Sequence, residues 1–182
     1  MEIAKNIYLV GPMGTGKTTI GKQLAKKLEI EFYDSDHEIE ARTGVDIARI
    51  FDVEGEEGFR ERERKVIAEL TKLEGIVMAT GGGAILNEEN RAHLAENGFV
   101  VYLKSSVDHL LERTRYDTKR PLLQTANPRE KLEELVVARD PLYESVANCV
   151  IETGGRSIRG VSRKITNKIL AAMFSQLIGK MQ

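Results

Sequence analysis

Apolar residues along the chain fall into two alternating patterns. Short runs with little polar interruption recur at Ile7–Val10, Ile30–Tyr33, Ile76–Ala79, Phe99–Leu103 and Cys149–Ile151, the length and composition of buried strands. Between them apolar positions recur at helical spacing. Ile20, Leu24 and Leu28 form one stripe, and Val161, Ile165, Ile169, Met173 and Leu177 form another. Each reads as the core-facing side of an amphipathic helix. Strands separated by helices predict an α/β fold, with a central parallel sheet of about five strands flanked by helices on both faces. Two helix starts are marked as well. Asn87 can cap a helix running to Glu96, with Glu88 and Glu89 at the positive end of its dipole. Ser105-Ser106-Val107-Asp108 has the form of a capping box.

Two stretches break the alternation. Asp36 to about Lys65 is dense in charge and holds no strand-like run, so it reads as a helical excursion, set at about 34–65 with its flanks. Arg113 to Pro128 mixes Arg, Lys, Asp and Thr and has the composition of a surface loop, with a lid expected at about 113–127. In a doubly wound sheet, ligands bind beyond the carboxyl ends of the strands. Both stretches begin near such ends, so both can fold over a bound ligand.

Composition narrows the picture further. A chain of 182 residues suits one α/β domain spanning 1–182. Lys and Arg total 27 against 28 Asp and Glu, so no global field draws in nucleic acid or a membrane surface. The single cysteine, Cys149, rules out an internal disulfide and reads as a small core residue. No apolar run approaches the roughly 20 residues that cross a bilayer, and the N-terminus lacks a signal pattern. A cytoplasmic protein is expected. His37, His93 and His109 lack the spacing of metal ligands, so no transition-metal site is expected.

The candidate chemistry begins at Gly11-Pro-Met-Gly-Thr-Gly-Lys-Thr18, which has the spacing G-x-x-x-x-G-K-[ST] of a phosphate-binding loop. Glycines allow the backbone to turn its N–H groups inward as an anion nest, and a helix starting near Gly16 adds its positive end. Lys17 would reach the β- and γ-phosphates, and the Thr18 hydroxyl would ligate Mg²⁺. The flanks satisfy the context, with a strand before and a helix after. Asp34-Ser35-Asp36 follows the second strand at the same rim. Two carboxylates at i and i+2 share one side of an extended chain, where one can hold a metal-bound water and the other can accept a proton from an acceptor hydroxyl. A competing assignment makes Asp36 a helix N-cap. Gly81-Gly82-Gly83 follows the third strand, and its entropic cost suggests that something approaches that backbone closely. Read alone, Arg60 and Arg139 are surface charges, and Glu61-Arg62-Glu63-Arg64 is a solvated helix face.

Taken together in order, these motifs resemble the shikimate kinases, P-loop enzymes of the nucleoside monophosphate kinase-like group. The likeness covers about Asn6 to Leu170. It rests on Gly11–Thr18, Asp34-Ser35-Asp36, Phe59-Arg60 with Glu63, Gly81-Gly82-Gly83, Arg120-Pro121-Leu122-Leu123, and Arg139 ahead of Pro141-Leu142-Tyr143. The resemblance implies a P-loop kinase-like sandwich that uses ATP and Mg²⁺ to phosphorylate the shikimate 3-hydroxyl. It implies that Gly14, Thr15, Gly16, Lys17, Thr18 and Thr19 hold the triphosphate, and that Arg113 and the loop around Arg156 lie against adenine. Arg120 would reach the phosphates from the lid. Asp34 would stand near the metal, and Asp36 would be the candidate base. Arg60 and Arg139 would grip the shikimate carboxylate, with Gly81, Gly82 and Gly83 beside them. Phe51 and Phe59 would wall the pocket, with Glu63 fixing Arg60. The sequence departs from the family at the Gly154-Gly155 pair. A monomer acting on small molecules is expected.

Two other readings share parts of this pattern. A gluconate or nucleoside monophosphate kinase has the same core, and gluconate is also a polyhydroxy acid. A regulatory GTPase would use Asp52-Val53-Glu54-Gly55 as its D-x-x-G element. However, no apolar strand precedes that element, and Asn167-Lys168-Ile169-Leu170 lacks the aspartate of a guanine-reading motif.

Overall fold

A computed structural model describes residues 6–115 and 125–179, with side chains through residue 175. Five strands form one sheet: β1 (Asn6–Val10), β2 (Glu31–Asp34), β3 (Ile76–Ala79), β4 (Gly98–Lys104) and β5 (Cys149–Glu152). Their order is β2-β3-β1-β4-β5, and every neighbouring pair is parallel. The helices are α1 (Lys17–Leu28), α2 (Ser35–Thr43), α3 (Ile47–Leu70), α4 (Glu88–Asn97), α5 (Val107–Thr114), α6 (Pro128–Val146) and α7 (Ile158–Gly179).

The alternation of side chains along β1 divides the core in two. Ile7 and Leu9 face Ile20 and Leu24 of α1 and Val161, Ile165 and Ile169 of α7. Tyr8 and Val10 face the opposite layer, with Ile39 of α2, Phe59 and Ile67 of α3, Leu94 of α4 and Tyr143 of α6. Central strands thus bury both faces, which explains why their sequences are continuously apolar. Burying each large apolar side chain contributes on the order of 1.5–3 kcal/mol. A smaller cluster of Met13, Leu110 and Leu132 joins the phosphate loop to α5 and α6. Among the described residues, no helix is long and apolar enough to cross a membrane.

Boundaries differ from expectation where local caps decide them. The excursion is two helices, and α3 itself bends at Gly55, whose φ of 70° lies outside the helical region. The Asp52–Gly55 segment therefore sits inside a helical element, unlike a GTPase switch that follows a strand. The cap of α2 is Asp34 rather than Asp36. Asp34 Oδ1 accepts from the backbone N–H groups of Asp36 and His37 at 3.1 and 3.4 Å. In α5, Ser106 is the cap, so Arg113 lies in a helix rather than in a surface loop. Arg120 and the rest of 116–124 lie outside the described residues. Cys149 is half-buried at the edge strand.

Candidate active site

The carboxyl ends of β1, β2 and β3 carry the phosphate loop, Asp34-Ser35-Asp36 and the glycine run, while Arg60 and Arg139 come from α3 and α6. Gly11 leaves β1 with a φ of 140°, and a Cβ there would lie 2.4 Å from the Leu103 carbonyl oxygen. Only glycine fits that crossing over β4. Gly14 and Gly16 also take positive φ, and α1 begins directly after Gly16. The Lys17 ammonium folds back over this loop and donates to the Gly11 and Pro12 carbonyls at 2.7 and 2.8 Å. Thr15 is buried and donates to the Pro12 carbonyl at 2.9 Å. A cationic head is thereby held against the loop, at the start of α1.

Thr18 and Asp34 form the second element. The Thr18 hydroxyl donates to Asp34 Oδ2 at 2.6 Å, while the other carboxylate oxygen caps α2. One aspartate therefore ties the end of β2 to the loop and to the excursion. A hydroxyl and a carboxylate side by side are hard oxygen donors, and they fit a Mg²⁺ ion that keeps most of its waters.

Across the cleft, each residue of the glycine run makes room for a different neighbour. A Cβ at Gly81 would lie 2.6 Å from both Asp36 Oδ1 and Glu63 Oε1. A Cβ at Gly82 would stand 3.3 Å from the Met13 backbone nitrogen, in the phosphate loop itself. One at Gly83 would collide with the Arg60 guanidinium at 2.3–2.5 Å. The run is fixed from below by Ser35, whose Oγ accepts from the Gly81 N–H at 3.0 Å. Two carboxylates, one guanidinium and the phosphate loop thus converge on three α-carbons.

The charges around the run are mostly buried. Arg139 is 6% exposed and Glu63 1% exposed. Glu63 Oε2 accepts from Arg60 Nη1 at 2.8 Å, and Oε1 has no hydrogen-bond partner among the described residues. Burial pushes the Glu63 carboxyl up to about 7; Arg60 and Arg139 oppose that rise, and Asp36 adds to it. Burial works against the charge on Arg60, but Glu63 and Glu56 more than restore it. Arg139 donates to the Gly82 carbonyl at 3.3 Å. Phe51 and Phe59 pack with ring centroids 5.0 Å apart, and the Arg60 guanidinium lies 5.2 Å over Phe59.

On the far side of the loop, a cavity of about 200 Å³ is lined by Gly16, Thr19, Arg113, Thr153 and Arg156, among others. Arg113 donates to the Gly14 carbonyl at 3.3 Å. The Gly154-Gly155 pair has a steric basis, since a Cβ at Gly154 would meet the His109 ring at 2.6 Å.

The fold therefore gathers Gly14, Thr15, Gly16, Lys17, Thr18, Thr19, Asp34, Arg113 and Arg156 around the loop. It gathers Phe51, Phe59, Asp36, Arg60, Gly81, Gly82, Gly83 and Arg139 across from them. Two surface readings are corrected. Arg139 is buried, and Glu63 is the inward member of a charged run whose other residues face solvent. Residue pattern gave no role to Ser35, Tyr102, Asp140 and Tyr143, although Ser35 and Tyr143 lie within the Asp34-Ser35-Asp36 and Pro141-Leu142-Tyr143 motifs.

A phosphate loop on a five-stranded parallel sheet, facing a cleft of paired arginines and carboxylates, defines a phosphoryl-transfer enzyme of the P-loop class. Comparison with known proteins narrows that class. A profile of the shikimate kinase family matches residues 13–173. The shikimate kinase of Thiobacillus denitrificans is 58% identical, over 93% of this chain and 92% of its own. That of Methylococcus capsulatus is 57% identical, over 92% and 93%. A solved structure of the Acinetobacter baumannii shikimate kinase in complex with shikimate superposes with a TM-score of 0.92 at 53% identity, covering 94% of this chain and 96% of that one. The chain belongs to the shikimate kinase family, and it is accordingly a kinase.

Proposed function

We propose that the chain transfers the γ-phosphoryl group of ATP to the 3-hydroxyl of shikimate, giving shikimate 3-phosphate and ADP. The observation that carries this reading is the glycine run. A Cβ added to it would meet the phosphate loop at Gly82, and the Asp36, Glu63 and Arg60 side chains at Gly81 and Gly83. A phosphate donor and an acidic acceptor held by these two groups would lie on either side of one backbone segment. Phosphoryl transfer depends mainly on such alignment and on charge neutralisation.

In this reading the backbone of Gly14–Thr18 cradles the phosphates, and Lys17 leaves its carbonyl partners to meet the β- and γ-oxygens. Thr18 and Asp34 would hold Mg²⁺, which when bound would neutralise charge on the phosphates. Arg113 and Arg156, with Thr19, would face the adenosine end, and Arg120 would approach the phosphates. Arg60 and Arg139 would bind the carboxylate, since a guanidinium fork matches its two oxygens. Asp36 would accept the hydroxyl proton, and the open Glu63 Oε1 would meet a second hydroxyl. Phe51 and Phe59 would cover the ring's apolar face. The same reading takes the enzyme to act as a monomer in the cytoplasm on small molecules alone.

An ADP-release assay tests the reading with shikimate, gluconate and nucleoside monophosphates offered in turn as acceptors. Turnover with shikimate well above the others is expected. Preference for gluconate or a nucleotide would assign the cleft to a different acceptor.

A further inference from the structure

Arg139 and Tyr143 lie one turn apart on α6 and converge on a single acceptor. The Tyr143 hydroxyl donates to the Gly82 carbonyl at 2.5 Å, and Arg139 Nη1 donates to the same oxygen at 3.3 Å. Tyr143 is 1% exposed; burial raises its pKa over the opposing charge of Arg139, which also hydrogen-bonds it, so the hydroxyl remains protonated and able to donate. Its ring stacks on Tyr102 with centroids 4.9 Å apart. The Tyr102 hydroxyl donates to Asp140 Oδ1, and Lys104 donates to Asp140 Oδ2 at 2.7 Å and to Glu144 at 3.1 Å. The residue that follows Arg139 is thus anchored to β4 by two bonds.

A carbonyl oxygen has two lone pairs, and the part-buried Gly82 carbonyl uses both on α6 side chains, so losing a donor there is costly. Tyr143 supplies the shorter of the two bonds here. Without its hydroxyl, the Gly82 carbonyl would draw on Arg139 alone. That guanidinium would then be divided between its own protein backbone and an incoming carboxylate. We propose that Tyr143 is a positioning residue for acid binding, which satisfies the Gly82 carbonyl so that Arg139 stays available to the acceptor's carboxylate, with Tyr102 and Asp140 fixing the geometry of α6. The inference rests on the assignment of Arg139 to the acid.

Tyr143→Phe keeps the stacked ring and removes only the hydroxyl. The KM for shikimate should rise about 3–10-fold, the equivalent of one lost hydrogen bond, while the KM for ATP and kcat stay within about twofold. In an Arg139→Ala background the same substitution should add no further rise, because the two residues act as a unit. Tyr102→Phe, which leaves Tyr143 intact, should raise the shikimate KM in the same direction by a smaller factor. An unchanged shikimate KM in Tyr143→Phe, an equal rise in both KM values, or an undiminished effect in the Arg139→Ala background would each overturn the inference. If Arg139→Ala by itself leaves the shikimate KM unchanged, the assignment of Arg139 fails first, and the two failures are told apart.

Discussion

The phosphate loop and the acid cleft share the Gly82 wall but are built on opposite plans. The loop is one continuous segment, Gly11–Thr18, whose working parts are main-chain groups and one lysine held by backbone carbonyls. The cleft is assembled from side chains at 35–36, 59–63 and 139–143 around the glycine backbone at 81–83, brought together by α2, α3, α6 and the end of β3. Its charges also depend on one another: Glu63 is paired with Arg60 and feels both Asp36 and Arg139. A local site of this kind fails when its one cation or its backbone path is lost. A convergent site fails by degrees, as each partner shifts the others.

Substitutions on either side of the wall can break or sharpen that contrast. The largest effect is expected at Asp36. Asp36→Asn should lower kcat by about 10²–10⁴-fold if the carboxylate takes the hydroxyl proton; a loss confined to KM would make it a positioning group only. Lys17→Ala should lower kcat by about 10²–10³-fold, the scale of removing one donor to developing charge. Near-normal turnover would show that the loop does not handle phosphate.

Gly83→Ala tests the cleft alone. Its methyl group would occupy the space of the Arg60 guanidinium, so the shikimate KM should rise about 10-fold or more, as when a charged hydrogen bond is lost. The ATP KM should stay near its original value, and a matching rise in both would mean that the two sites are not separable.

A last test reads stability against pH rather than activity. The carboxyl of Glu63 titrates near 7 when folded against an ordinary value of 4.5, so the folded state holds the proton more tightly. Its contribution to stability is present in full below about 4.5 and is lost as pH rises through 7. Thermal melts of the wild type and Glu63→Gln should show the wild type losing ground across that window. A constant difference in Tm would mean that Glu63 is ionised throughout.

The same contrast governs what could be read in advance. All five strands were legible as apolar runs, most clearly the central β1, β3 and β4, because strands covered on both faces need nearly unbroken apolar sequence. The loop was legible because its chemistry depends on consecutive spacing. The cleft was visible chiefly through likeness to a family. Glu63 sits in a charged run and Arg139 beside Asp140, and only the packing of α3 and α6 onto the sheet shows that they point inward. Tyr102 looked like an ordinary strand residue, and its bond to Asp140 joins segments far apart in sequence. The competing assignment of Asp36 as the cap of α2 fails, because Asp34 accepts from the backbone N–H groups of Asp36 and His37, which leaves Asp36 inside the first turn.

The most direct measurement is a crystal structure with a non-hydrolysable ATP analogue and shikimate bound together. The phosphates should lie on the Gly14–Thr18 backbone, the carboxylate between Arg60 and Arg139, and one ring hydroxyl beside Asp36 in line with the terminal phosphorus. A carboxylate bound away from both arginines, or a hydroxyl turned from the phosphorus, would contradict the account.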